Sequence, residues 1–294
     1  MSPDPVTFAE ELGLPGLFDV HTHFLPPRVM AKVREQFDTA GPLIGRPWPL
    51  HYRGEDDDLV ETLWGFGVRR FSALPYAHRP GMAEFLNDWA FAFADRQPGC
   101  LRSATFYSEA GAVDYTAARI AAGAEIFKVH VQVGAFDVRD PLLTDVWGVL
   151  EDAGTPVVIH AGSGPVGTAY TGPGPVAELL ARHPRLALVI AHLGAPEYAE
   201  FLALVEAHPT TWLDTTMVFT EFFDAEAPYP AELLARLADL GDRVLLGSDF
   251  PTIPYPYREQ LDGLQRLSER HARLDEDWLR RVCWHNGSGL FGSA

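Results

Sequence analysis

Apolar positions along this chain come in short runs, and each run is followed by a longer segment with helical spacing. Eight runs read as strands: Leu17–His23, Val68–Tyr76, Leu101–Tyr107, Glu125–Val131, Pro156–Gly162, Leu186–Gly194, Thr211–Thr216 and Arg243–Phe250. Between them lie amphipathic stretches such as DDLVETLWGF, LTDVWGVLEDAG, PVAELLARHP and YREQLDGLQRLSERH, several of them closed by Gly or Pro, as helices are. Alternation of this kind predicts βαβ units and a parallel sheet. Eight units in 294 residues favour a closed (β/α)8 TIM barrel of the α/β class over an open doubly wound sheet. No G-x-G-x-x-G follows the first strand, which argues against a dinucleotide fold. The pattern predicts one barrel domain over 1–294, with an additional helical tail over 275–294.

One interval breaks the rhythm. The first strand ends near His23 and the next helix begins near Asp56, so 24–55 forms a long loop after the first strand. Loops at that end of a barrel carry binding residues. This one supplies Arg28, Arg46, Trp48, His51 and Arg53. They form either a set for an anionic or aromatic substrate, with Arg53 and Trp48 the chosen binding candidates, or a surface lid with solvated arginines. The acidic run Glu55–Asp58 reads as a helix N-terminus, where negative charge is favoured.

Composition changes the picture mainly by exclusion. The net charge of −17 repels phosphate backbones and anionic bilayers, so neither a nucleic acid nor a membrane is expected as partner. A small anionic substrate stays open, because a metal and a few cations can dominate one pocket. Two cysteines, Cys100 and Cys283, stand in no ligand-like spacing and suit a reducing compartment. The opening MSPDPVTFAEELG has no basic segment followed by an apolar run, and no stretch reaches the roughly 18 apolar residues of a membrane span. A cytoplasmic protein is the expectation.

Ligand-capable side chains recur where the strands end. The first strand closes on His21 and His23, two apart and therefore on one face. The fourth carries Lys128 and His130, again two apart; the fifth ends in His160, the sixth in His192, the seventh in Asp214 and the eighth in Asp249. One histidine at a strand end is more often a hydrogen-bonded structural residue than a ligand. His, His, His and Asp at the same end of strands one, five, six and eight form a pattern that chance does not readily produce.

The segments DVHTHF, VIHAGSGP, IAHLGAPE and LLGSDFPT, in this order, resemble the amidohydrolase superfamily of metal-dependent barrel enzymes. Their spelling is closest to the amidohydrolase-related branch, which includes aminocarboxymuconate semialdehyde decarboxylase, resorcylate-type decarboxylases and certain lactonases. The closing WHNGSGLFG resembles the branch's N-x-x-x-L-F ending, so the likeness runs over essentially the whole chain.

The resemblance implies that His21, His23, His160 and Asp249 bind one divalent metal. Zinc is the first expectation and Mn²⁺ the alternative, since three imidazoles and a carboxylate suit Zn²⁺ and leave room for water. It further implies that Asp249 takes a proton and that His192 faces the reacting group, making these two the catalytic candidates. Lys128 has three readings: a cation for a substrate carboxylate or carbonyl, a structural lysine, or the carboxylated bridge of binuclear superfamily members. His130 shares its strand face and is read as lining the same pocket.

The implied activity is hydrolysis of a small carboxylate-bearing or cyclic amide, ester or lactone through a metal-activated water. The alternative is non-oxidative decarboxylation of a small or aromatic acid, and behind it stands a barrel that binds a ligand without catalysis. Branch members are often dimers, which adds a homodimer as a candidate assembly.

Overall fold

The structure is a computed structural model that describes residues 5–292; the outermost ends of the expected domain and tail, 1–4 and 293–294, lie outside the described residues. Eight strands are present: β1 (Leu17–Asp19), β2 (Val68–Phe71), β3 (Ser103–Thr105), β4 (Ile126–His130), β5 (Val157–His160), β6 (Leu188–Ile190), β7 (Thr211–Asp214) and β8 (Val244–Leu245). Each falls inside the corresponding predicted run. All are shorter than predicted, and β4, β5 and β7 end on the candidate residues His130, His160 and Asp214.

The chain divides into two compact units. One runs to Phe71 and resumes at Asp214; the other spans Ser72–Leu213. In the first, β1 lies parallel to β2, with Leu17 opposite Val68 and Asp19 opposite Phe71. The end of β1 also meets the segment leaving β8: Val20 N–H donates to the Leu246 carbonyl at 2.9 Å, and Thr22 bridges Phe250 in parallel. Thr215 N–H donates to the Leu245 carbonyl at 3.0 Å, which brings the residues just after β7 into the same patch. In the second unit β3, β4, β5, β6 and β7 pair in sequence order, every pair parallel. Strands covered on both faces carry unbroken apolar runs. Val157–Ile159 and Leu188–Ile190 are such runs, and all six side chains are shut from solvent.

One segment differs from the loop expected, and the tail is helical as its sequence suggested. The interval 24–55 contains a 13-residue helix, Pro27–Thr39, and a short one, Gly41–Ile44. The longer helix starts with proline at its first position, where the missing N–H costs nothing. Its Val29, Met30, Val33 and Phe37 pack with Leu25 in a local cluster. The C-terminal tail consists of Glu276–Arg280 and Asn286–Phe291 joined by a π-helical turn, Arg281–His285. Asp275 starts it by accepting the Trp278 N–H at 3.0 Å, an ordinary N-cap. The run Asp56–Asp58 occupies the first turn of helix Asp56–Gly65, as its charge predicted. Among the described residues no helix is long and apolar enough to cross a membrane.

Candidate metal centre and histidine cluster

In the first unit the chain brings His21, His23 and Asp249 together. Asp249 Oδ1 lies 3.1 Å from His21 Nε2 and 3.1 Å from His23 Nε2. The two imidazole rings meet edge to face with centroids 5.1 Å apart. His21 and His23 are buried and Asp249 is nearly so. Among the described residues this is a trio whose ligand atoms converge closely enough to hold one ion.

Backbone placement explains the convergence. His21 and His23 extend β1 on one face, and the Asp249 N–H donates to the His21 carbonyl at 2.8 Å. His23 N–H donates to the Phe250 carbonyl at 2.7 Å, so the residues around Asp249 are stitched onto the end of β1. Asp249 itself has φ of +68°, a left-handed conformation that a non-glycine residue adopts only when its surroundings impose it. Gly247 makes the approach feasible: a Cβ there would sit 2.1 Å from Thr216 Oγ1 and 2.9 Å from His21 Cβ.

The polar groups behind the trio fix its orientation. His21 Nδ1 lies 2.8 Å from Asp214 Oδ2, and Asp214 Oδ1 in turn accepts the Thr216 N–H at 3.1 Å. A carboxylate accepts, so His21 carries its hydrogen on Nδ1 and a neutral ring presents its lone pair at Nε2. That lone pair then faces an oxygen of Asp249, and two lone pairs at 3.1 Å repel unless a proton or a cation stands with them. Ligand atoms bound tetrahedrally to zinc at about 2.0–2.2 Å lie roughly 3.3–3.6 Å from one another, a few tenths of an ångström beyond the separations seen here. The convergence and the donor types therefore fit a divalent cation.

Asp19, the lone polar residue within the apolar LFDV, stands behind the trio, and the sequence alone does not single it out. It is wholly buried. Its carboxyl accepts the Ser248 hydroxyl at 2.5 Å, the Tyr257 hydroxyl at 3.0 Å and the His21 N–H at 3.1 Å. Burial pushes its pKa up to about 7 against those donors. Asp19 thus ties the strand bearing His21 and His23 to the residue preceding Asp249.

The second unit gathers the other sequence candidates. His130 and His160 end neighbouring strands in register, and their rings stack with centroids 3.9 Å apart and planes 12° from parallel. His192 approaches His160 edge to face at 4.8 Å. It has a φ of +55° and is followed by Leu193 at +51°, so the turn leaving β6 is left-handed at two consecutive non-glycine residues. His130 Nδ1 accepts the Val133 N–H at 3.3 Å. His160 Nε2 donates to the Gly164 carbonyl at 2.9 Å, which leaves the lone pair of a neutral ring on Nδ1. Lys128 lies on β4 and is 1% exposed, an environment in which a lysine needs polar company.

The two loop candidates are placed differently. Trp48 Nε1–H donates to the Thr252 carbonyl at 2.9 Å, and its ring packs on Phe37 and Phe222. Arg53 pairs with Asp38 at the surface, both side chains about half exposed. Such a pair is worth about 0.2–1 kcal/mol and leaves Arg53 able to rearrange. Arg46 lies over the Phe222 ring at 3.6 Å and donates to its carbonyl.

Comparison with solved structures shows the fold. A TIM-barrel protein from Bordetella bronchiseptica superposes with a TM-score of 0.71 at 19% identity, over 93% of this chain and 98% of that one. A probable 2-pyrone-4,6-dicarboxylic acid hydrolase from Acinetobacter baumannii gives 0.63 at 14% identity, over 95% and 100%. The 5-carboxyvanillate decarboxylase of Sphingomonas paucimobilis gives 0.61 at 16%, also over 95% and 100%. The fold is therefore the (β/α)8 TIM barrel of the α/β class, with a long first connection and a helical C-terminal extension. The family model for amidohydrolases matches residues 18–292, and the chain belongs to that family. No curated protein matches the chain.

Proposed function

We propose that the chain is a single-domain, metal-dependent hydrolase of a small carboxylate-bearing or cyclic amide, ester or lactone. The observation that carries this reading is the convergence of His21 Nε2, His23 Nε2 and Asp249 Oδ1, each ring nitrogen 3.1 Å from the same carboxylate oxygen. These three residues would hold one divalent ion, zinc by their donor types, and the family resemblance assigns His160 to the same ion. Such an ion, when bound, would supply Lewis acidity and lower the pKa of water towards neutrality.

The chain's own residues supply the rest. Asp249 Oδ takes the proton that leaves as water attacks, a role for which a partly exposed carboxylate at the site is suited. Asp214 keeps His21 in the Nδ1–H form, so that Nε2 stays available as a donor atom. His192 orients or polarises the reacting carbonyl. Lys128, as a buried cation, pairs with a substrate carboxylate or carbonyl oxygen, and His130 lines the same subsite.

Elemental analysis of protein prepared without chelator, followed by a panel of lactones, esters, amides and aromatic acids, tests this reading. About one metal per chain and a ring-opened or cleaved acid as product support it. Release of CO₂ as the product would replace it with decarboxylation, the activity of the Sphingomonas neighbour. Two metals per chain would make Lys128 a carboxylated bridge. Metal-free protein without turnover would leave a ligand-binding barrel.

A further inference from the structure

Glu197 stands at the head of helix Tyr198–Ala207, five positions after His192. Its Oε2 accepts the Ser163 N–H at 3.0 Å, and its Oε1 accepts the Ser163 hydroxyl. Ser163 sits in the turn that leaves β5, directly before Gly164, whose carbonyl accepts the His160 Nε2–H. The same turn is pressed against the backbone that follows His192. A Cβ on Gly162 would lie 2.1 Å from the Ala195 carbonyl oxygen, and the Gly164 N–H faces that oxygen at 3.4 Å. Ala195 N–H in turn donates to the His192 carbonyl at 3.0 Å. Two turns, each carrying a histidine, are thus nested by backbone contact and clasped by one carboxylate.

The backbone contacts alone hold weakly. A 3.4 Å approach is at the long end for an N–H···O bond, whereas a carboxylate accepting two donors from one residue is charge-assisted and fixes direction as well as distance. The His160 ring depends on where the Gly164 carbonyl points, and that carbonyl follows Ser163. A carbonyl in the right place makes Nε2–H the favoured tautomer; a carbonyl that swings away lets the hydrogen move to Nδ1.

We infer that Glu197 is a positioning residue: through Ser163 and Gly164 it sets the tautomer and orientation of His160 and holds that turn against the one bearing His192. The inference rests on the proposed reading of His160 and His192 as site residues. Its central measurement does not depend on turnover.

The test is histidine-ring ¹H–¹⁵N spectroscopy on metal-free wild type, Glu197→Ala, Glu197→Gln and Ser163→Ala, with His160 assigned by its loss in His160→Asn. Wild type is expected to show His160 as the Nε2–H tautomer with slow hydrogen exchange. Glu197→Ala is expected to lose that protection and mix tautomers, Ser163→Ala to do so partially, and Glu197→Gln to restore it, since an amide oxygen still accepts the Ser163 N–H. On any substrate found, Glu197→Ala should lower kcat by about 10–100-fold, the usual effect of losing the partner that orients a ligand histidine. A folded Glu197→Ala protein with the wild-type His160 signal would overturn the inference. If that variant does not fold, an unchanged His160 signal in Ser163→Ala does the same. Failure of the hydrolase reading is separate, because it appears as no turnover in wild type while the ring spectra still report on Glu197.

Discussion

Asp214 Oδ2 lies 2.8 Å from His21 Nδ1, with both side chains closed to solvent. A buried carboxylate behind an imidazole fixes which nitrogen carries hydrogen and makes the opposite nitrogen more basic. Asp214 is itself held by the Thr216 N–H, so it cannot swing away at small cost. Replacing it with Asn keeps the size but permits the wrong tautomer, because the amide can donate to Nδ1. Asp214→Asn is expected to weaken divalent-metal binding by about 10–100-fold, with the fold retained. Metal titration by calorimetry against a competing chelator reads this directly, and affinity within twofold of wild type would remove Asp214 from the site's support.

Trp48 offers a second measurable relationship. Its Nε1–H reaches the Thr252 carbonyl at 2.9 Å, and Thr252 donates through both N–H and hydroxyl to the Asp249 carbonyl at 2.8 and 2.9 Å. The long first connection therefore braces the left-handed residue that carries the candidate base. Trp48→Phe deletes the donor and keeps an aromatic ring against Phe37 and Phe222. Stability should drop by about 0.5–1.5 kcal/mol, the net worth of one hydrogen bond, read as a lower denaturant midpoint at constant slope. A substrate-binding Trp48 would in addition raise KM; a KM equal to wild type in this variant assigns Trp48 to bracing.

Much of this was legible in the sequence, and the physical reason differs from part to part. Strand ends marked by His21, His23, Lys128, His160 and His192 were visible because buried strands must be apolar, so a polar residue at the end of a run stands out. The helix Pro27–Thr39 was passed over within a stretch read as loop, although Val29, Met30, Val33 and Phe37 repeat at helical spacing after a proline. Prolines and glycines on either side of it obscured the signal. The left-handed backbone at His192 and Asp249 leaves no mark in residue type, since tertiary packing imposes it. Glu197 and Asp19 were hidden for another reason: each acts through hydrogen bonds to residues distant in sequence, and nothing local announces the partner.

His23 and His192 should separate by metal retention. His23 Nε2 is one of the donor atoms of the candidate centre, so His23→Ala is expected to lose both metal and activity. His192, proposed to face the reacting group, should on replacement by Ala leave most of the metal in place while activity falls. Elemental analysis of the two purified variants beside wild type decides the matter. His192→Ala protein as empty as His23→Ala would make His192 a ligand.

Asp249 gives the most decisive test, because two roles are proposed for one carboxylate. As a donor atom it needs only an oxygen at the right place; as a proton acceptor it needs a basic one. Asn supplies the first without the second, and its size suits the left-handed backbone, which Asn tolerates better than most residues. Asp249→Asn should therefore fold, and bind at least part of the wild-type metal, since His21 and His23 remain. With the base removed, kcat should fall by roughly 10²–10⁴-fold, and the loss should appear in kcat more than in KM, because proton transfer belongs to the transition state. The measurement is steady-state kinetics on metal-loaded protein, with metal content determined on the same sample. A loaded variant with near wild-type kcat would leave Asp249 as a ligand alone and place the proton acceptor elsewhere in the site.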